Sequence, residues 1–309
     1  MRNAKINHPK VSIITVNWNG LEDTTECLES LKKVIYLNYE VIVVDNGSDG
    51  NDAQIFKERF GDYIQLVQND KNYGYGEGYN TGIRYVLANS KPKYILLINN
   101  DVVVDPIFLD ELVRVAEIDK QISVAGLKIY HYDYKGRKDV IWSAGGKISR
   151  WALKIHHQIG ETDNDLPKYQ TLMNVDWISG AVLMFRSSLT EKVGLLNPWY
   201  FFGHEDIEFC LKARNQGFKI MYIPTAKAWH KIGASAKKAN ITYADPASYY
   251  YLIRQCFPLY VYIYHLLLSP ALLSRWALLY LIRHRDRNTL RRFFSDFARF
   301  ILQRRKQSL

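Results

Sequence analysis

Along the first hundred residues, short apolar runs alternate with stretches whose apolar residues recur at helical spacing. The runs are VSIITV (11–16), EVIVVD (40–45), YIQLV (63–67) and YILLI (94–98). A helical pattern follows the first run to about Lys33, and residues 52–60 and 77–89 carry two more. Strands that are apolar throughout, joined by helical crossovers, predict a parallel sheet covered on both faces. The fold class is therefore α/β, an open, mostly parallel, doubly wound sheet, in which ligands sit at the carboxyl ends of the strands.

Those ends are where the polar residues fall. The first run leads into Thr15, Asn17 and Asn19, the second into Asp45, Asn46, Ser48 and Asp49, and the fourth into Asn99, Asn100 and Asp101. Asp49, just before GNDAQIF, reads as a helix cap. Three polar clusters at one sheet edge predict a polar, phosphorylated ligand. A dinucleotide fold would need G-x-G-x-x-G directly after the first strand, but NWNGLED has one glycine there. The cluster NYGYGEGYNTG (72–82) has the wrong spacing, and reads either as a tight turn into a helix or as close backbone approach to a nucleotide. No Walker-type phosphate loop is present.

From about 125 to 180 the pattern predicts hairpins and loops, and NVDWISGAVLMF (174–185) a buried strand. EDIEFCLKARNQG reads as an acid-started helix stopped at Gly217, followed by two short strands, KIMYI and KAWH.

Composition narrows the class. Hydrophobic residues at 48% and charged residues at 23% suit a folded soluble protein. Cys27, Cys210 and Cys256 match no metal spacing and read as reduced thiols. MRNAKINHPK, at the start, has no apolar run of the kind an export signal needs. The net charge of +10 gathers in the tail: residues 283–309 hold nine Lys or Arg against two Asp. A nucleic-acid binder would spread its basic residues among aromatics on a sheet face, so no nucleic-acid partner is expected.

Seven stretches, VSIITVNWNG, EVIVVDNGSDG, NYGYGEGYNTGI, ILLINNDVVVDP, WISGAVLMFRSS, FFGHEDIEFCLKAR and AWHKIGAS, run in order over about residues 10 to 235. Together they resemble family 2 glycosyltransferases with the GT-A fold. Within that family they are most similar to rhamnosyltransferase-like enzymes of bacterial surface polysaccharide assembly. The resemblance implies an inverting, metal-dependent hexosyltransferase that uses a UDP- or dTDP-sugar, with a glycan or polyprenyl-diphosphate-linked acceptor. The rival within the same fold is a catalytically silent sugar-nucleotide-binding protein.

The resemblance also assigns roles. Asn99-Asn100-Asp101 matches the family's Asp-x-Asp site, with asparagine replacing the first aspartate. Asp101 is then the carboxylate ligand of Mn2+ or Mg2+, Asn99 and Asn100 lie on the donor side, and His230 matches the distal metal ligand. Asp206 in HED is the catalytic base that takes the acceptor's proton, and Glu205 orients acceptor or base; acidic decoration of a helix start explains Glu208. Asp45 matches the base-recognition aspartate, with Thr15, Asn17, Asn72 and Gly74 around the nucleotide. Trp177 and Gly180 fall on the acceptor side, and Trp177 reads equally well as core.

The organisation expected is a catalytic domain over 1–240 and a C-terminal amphipathic, basic helical region over 241–309. The apolar stretch 257–282 is interrupted by Pro270 and Arg275, so each half is too short to cross a bilayer. In 289–302, Leu290, Phe293, Phe294, Phe297 and Ile301 share one helical face among arginines. The tail thus reads as lying on an anionic membrane surface, at the cytoplasmic face. The alternative is helices docked on the catalytic domain or on the second copy of a homodimer.

Overall fold

The computed structural model describes residues 8–152, 155–232, 246–270 and 274. The chain divides into two compact units, residues 1–148 with 156–240, and residues 149–155 with 241–309.

The first unit is built on a ten-stranded sheet, with a separate two-stranded one beside it in sequence. Strands β1 (Val11–Asn17), β2 (Tyr39–Asn46), β3 (Ile64–Asn69) and β4 (Tyr94–Ile98) alternate with helices α1 (Leu21–Leu31), α2 (Asp52–Phe60) and α3 (Tyr75–Asn89). β5 (Val102–Val104), α4 (Phe108–Ile118) and β6 (Ile122–His131) follow. Then come β7 (Ile141–Ser143), β8 (Gly146–Ile148), β9 (His156–Gln158), β10 (Met173–Asn174) and β11 (Val182–Arg186). The unit closes with α5 (Thr190–Val193), α6 (Glu205–Asn215) and β12 (Lys219–His230). The main order is β10-β12-β6-β11-β4-β1-β2-β3. β3, β2, β1 and β4 pair in parallel, as do β6 and β12, while β11 runs antiparallel between β4 and β6. The sheet is thus mixed, and its parallel half, β3-β2-β1-β4, is the part that the uninterrupted apolar strands predict.

α3 lies unusually close to this sheet. A Cβ at Gly82 would meet Ile14 Cγ2 at 2.5 Å, and one at Gly78 would meet Val16 at 3.1 Å. The glycine cluster therefore serves helix–sheet packing.

Three expected elements differ. The antiparallel pairs expected from 125 onward are present, β7 on β6 and β8 on β9, but the first of them grows from the ten-residue β6, buried along nearly its whole length. The strand expected over 174–185 shortens to β11, because residues 176–180 form a loop at the site. The two strands expected over 219–230 are one strand, β12, whose register against β6 shifts between Ile223 and Lys227. Pro224, with no N–H for the ladder, lies in that bulge.

In the second unit, α7 (Pro246–Cys256) and α8 (Leu259–Leu267) pack through Tyr249, Tyr250, Leu252, Ile253 and Val261, all buried. α8 ends at Leu267, before Pro270. Among the described residues no helix is long and apolar enough to cross a membrane. The expected face of Leu290, Phe293, Phe294, Phe297 and Ile301 lies outside the described residues.

Candidate active site

β4 ends at Ile98, and Asn99, Asn100 and Asp101 make the tight turn into β5, closed by Val102 N–H donating to Asn99 O at 3.3 Å. Each of the three side chains leads in a different direction.

Asp101 leads to β12. β5 pairs antiparallel with β12, placing Val102 opposite His230. Lys231 N–H donates to Asp101 O at 3.0 Å. The result is His230 Nε2 3.0 Å from Asp101 Oδ1, with both residues buried. The Trp142 ring stands edge-on to the imidazole at 4.4 Å. Burial opposes ionisation of Asp101, yet the adjacent His230, a backbone amide and Lys231 hold its carboxyl below the usual range. Lys231 is itself tied to Asp23 at 2.7 Å and Glu26 at 2.6 Å.

Asn100 leads back to β1. Its Nδ2 donates to Thr24 Oγ1 at 2.9 Å, and Thr24 donates to Asn17 Oδ1 at 2.7 Å. Asn17 Nδ2 then reaches Asp45 Oδ1 at 3.0 Å, Ser48 Oγ at 3.0 Å and Asp52 Oδ2 at 2.9 Å. Gly20 makes this possible, since a Cβ there would lie 2.4 Å from Asn100 Nδ2. Asp45 takes Asn17 and Ser48 through Oδ1, and Oδ2 lies outside these bonds.

Asn99 leads to α6. Its Oδ1 accepts the hydroxyls of Tyr75 at 3.0 Å and Tyr79 at 3.2 Å. The Tyr75 hydroxyl also lies 2.8 Å from Gly180 O, and Gly180 N–H donates to Asp206 Oδ2 at 2.6 Å. Asp206 Oδ1 accepts Ile207 N–H at 2.8 Å, so both carboxylate oxygens are fixed by backbone. Burial raises the Asp206 pKa against those two amides. Burial, then the charge of Asp206, pushes Glu205 well above the carboxylate range. Glu205 Oε2 is buried with no hydrogen-bond partner among the described residues. His204, the residue before this pair, sits at φ 76°, a left-handed conformation disfavoured outside glycine.

The sequence-assigned residues thus separate by what they have left to offer. Asp45, Asn99, Asn100, Asp101, Gly180, Asp206 and His230 stand in these three linked groups. Thr15 and Asn17 are fully buried, and Asn17 spends both ends of its amide on protein partners, so it positions Asp45. Asn72 Oδ1 is taken by Asn46 Nδ2 and Gly74 N–H, at 3.0 Å and 2.8 Å. Gly74 adopts φ 85° and faces Phe201, whose carbonyl a Cβ would approach to 2.7 Å. Trp177 is only 5% exposed and packs over Gly146, which makes it core on this evidence. Asp49 bonds Asn19 instead of capping α2, where Asn51 stands at the N-cap.

Sequence reasoning missed Tyr75, Tyr79, Thr24 and Asn197. Tyr75 and Tyr79 were hidden because aromatics four apart in a helix look like core. Glu208, read as dipole decoration, is 1% exposed, accepts Asn197 Nδ2 at 3.1 Å and pairs with Lys212 at 2.6 Å. It therefore anchors the 197–204 loop, on which Trp199 and Phe201 are exposed.

The chemistry of Asp101 and His230 fits a divalent cation. Two ligands at roughly 2.1 Å from one ion, at right angles, stand about 3.0 Å apart. His230 Nδ1 is buried without a partner among the described residues. Those residues include no cluster of three or more metal-ligating side chains.

Rhamnosyltransferase WbbL of Escherichia coli is 26% identical over 199 residues, 62% of this chain and 73% of its own. The low-salt glycan biosynthesis hexosyltransferase Agl10 of Haloferax volcanii is 27% identical over 220 residues, 71% of this chain and 66% of its own. This chain spans only 25% of the length of a larger relative in Sinorhizobium fredii. The crystal structure of GalNAc-T7 with UDP, GalNAc and Mn2+ superposes at a TM-score of 0.60 and 16% identity, over 73% of this chain and 44% of that one. The fold is GT-A. The family profile described as glycosyltransferase like family 2 matches residues 8–255, and the chain belongs to that family.

Proposed function

We propose that this chain transfers a hexose, rhamnose among the candidates, from a UDP- or dTDP-sugar to a glycan or polyprenyl-diphosphate-linked acceptor, with inversion, in cell-surface polysaccharide synthesis. The observation that carries this is the 99–101 turn, from which polar contacts run to His230 through Asp101, to Asp45 through Asn100 and to Asp206 through Asn99.

Asp206 acts as general base. It takes the proton of the acceptor hydroxyl as that oxygen bonds to the anomeric carbon and the bond to the diphosphate breaks. Its raised pKa makes it a stronger base than a free aspartate, and the amides of Gly180 and Ile207 fix its direction. Asp45 reads the pyrimidine N3–H through its carboxylate, held by Asn17 and Ser48. Asp101 and His230 would hold Mn2+ or Mg2+, which when bound would offset the charge growing on the leaving diphosphate. Glu205, whose carboxyl is pushed well above the usual range by burial and by the charge of Asp206, orients the acceptor or the base. The exposed rings of Trp199 and Phe201 offer flat apolar faces to a sugar on the acceptor side. The lipid-linked acceptor places the reaction at the cytoplasmic face of a membrane.

Nucleoside diphosphate release from a panel of UDP- and dTDP-sugars, with and without lipid-linked acceptor, tests this. Release that needs both donor and acceptor supports transfer, and binding without release from any donor contradicts it.

A further inference from the structure

One face of α8 turns its apolar side chains outward. On α8, Val261 and His265 are fully buried, whereas Leu259, Tyr260, Ile263 and Leu267 are 70%, 56%, 46% and 76% exposed. Residues 259, 263 and 267 recur every four positions, with 260 beside them, and so share one face roughly opposite Val261 and His265. The inward contact is polar. His265 Nε2–H donates to Arg150 O at 2.9 Å, leaving Nδ1 to accept the Tyr249 hydroxyl at 3.3 Å.

Trp151, 56% exposed, extends the same face from the 149–155 segment. It stacks on Tyr260 at 6.1 Å, meets Tyr264 edge-on at 5.2 Å, and accepts the Tyr264 hydroxyl on its carbonyl at 3.0 Å. An exposed tryptophan held by three contacts is costly to leave in water.

Charge says what this face meets. Residues 149–155 and 241–309 hold 13 of the 41 basic side chains and 3 of the 31 acidic ones, so 28 of each remain elsewhere. The catalytic unit is neutral, and the whole +10 belongs to the second unit. Among its described residues Arg150 and Arg254 are exposed, and there is no carboxylate. A unit of this net charge repels its own copy and attracts anions, while exposed Trp and Tyr beside exposed aliphatics match the boundary between headgroup and acyl chain.

We propose that the face formed by Trp151, Leu259, Tyr260, Ile263 and Leu267 is the surface by which this protein seats on an anionic lipid bilayer. The inference extends the reading of a lipid-linked acceptor, but vesicle binding needs neither donor nor acceptor, so the two readings fail separately.

The test is flotation of the full chain with phosphatidylcholine vesicles carrying roughly 30% phosphatidylglycerol, beside phosphatidylcholine alone. The expected result is flotation with the anionic vesicles and a drop of about tenfold in the bound fraction for Ile263→Ser/Leu267→Ser. Tryptophan quenching by brominated lipid should fall in Trp151→Phe. Both variants change exposed side chains, and unaltered circular dichroism checks their fold. Equal flotation of wild type and the double variant overturns the proposal by moving binding to other basic segments. So does failure of wild type to float. A dimer in sedimentation velocity that the double variant dissolves assigns the face to a second copy instead, which also overturns it.

Discussion

Tyr75 and Asn99 meet at 3.0 Å, and the same tyrosine hydroxyl lies 2.8 Å from Gly180 O, so one proton serves both the 99–101 turn and the loop that bonds Asp206. Tyr75→Phe leaves the Gly180 carbonyl without this donor, while Asn99 keeps Tyr79. Such a loss is worth about 1–3 kcal/mol, and 1.4 kcal/mol is tenfold in rate. We expect kcat to fall about tenfold with donor affinity nearly unchanged. Steady-state kinetics with varied donor checks this; a rise in donor KM at constant kcat would place Tyr75 on the nucleotide side.

Asp206→Asn should cut transfer by roughly 10²–10⁴-fold while donor binding persists, since a general base acts on the acceptor. In the wild type the base must be ionised. Because burial raises its pKa, kcat should descend on the acid side with an apparent pKa above about 3.9. A near-normal rate in Asp206→Asn would remove it as base.

Glu205 gives a stability prediction of definite sign. Its folded pKa lies well above the unfolded value. The stability of holding it neutral is therefore complete below the unfolded pKa and is lost as pH rises through the folded pKa. Glu205→Gln removes the ionisable group and keeps the shape, so its melting temperature should exceed wild type by more at pH 9 than at pH 5. An equal difference at both pH values would mean that Glu205 is ionised throughout.

Asn99→Asp keeps the acceptor that both tyrosines use and adds negative charge two residues from Asp101. Mn2+ should then activate at lower concentration, with Tyr75 and Tyr79 still bonded. Calorimetric Mn2+ titration in the presence of donor reads this directly; weaker binding would show that the turn had rearranged.

The sheet was legible because β1, β2 and β4 are continuous apolar runs, the pattern that strands of a parallel sheet covered on both faces usually show. The motif residues were legible because carboxylates and amides at strand ends are out of place in a core. β6 was not, since Gly126, Lys128 and His131 interrupt its apolar pattern; Lys128 is buried there by a pair with Asp165 at 2.8 Å that only the fold supplies. Tyr75 was equally hidden, because its role depends on Gly180, more than a hundred residues away. Trp177 illustrates the converse: a motif position whose side chain the structure spends on packing against Gly146.

The pairing of Asp101 with His230 carries the most weight, and melting temperature measures it most directly. Wild type and Asp101→Ala are to be compared against UDP- and dTDP-sugars with Mn2+ and with EDTA. At a free donor concentration of about a hundred times Kd, the matching donor should stabilise wild type by about 2.7 kcal/mol. Most of that shift should disappear in EDTA and in Asp101→Ala, and His230→Ala should reduce it less severely. An equal shift for Asp101→Ala, or for wild type in EDTA, would contradict a metal-held donor at this turn.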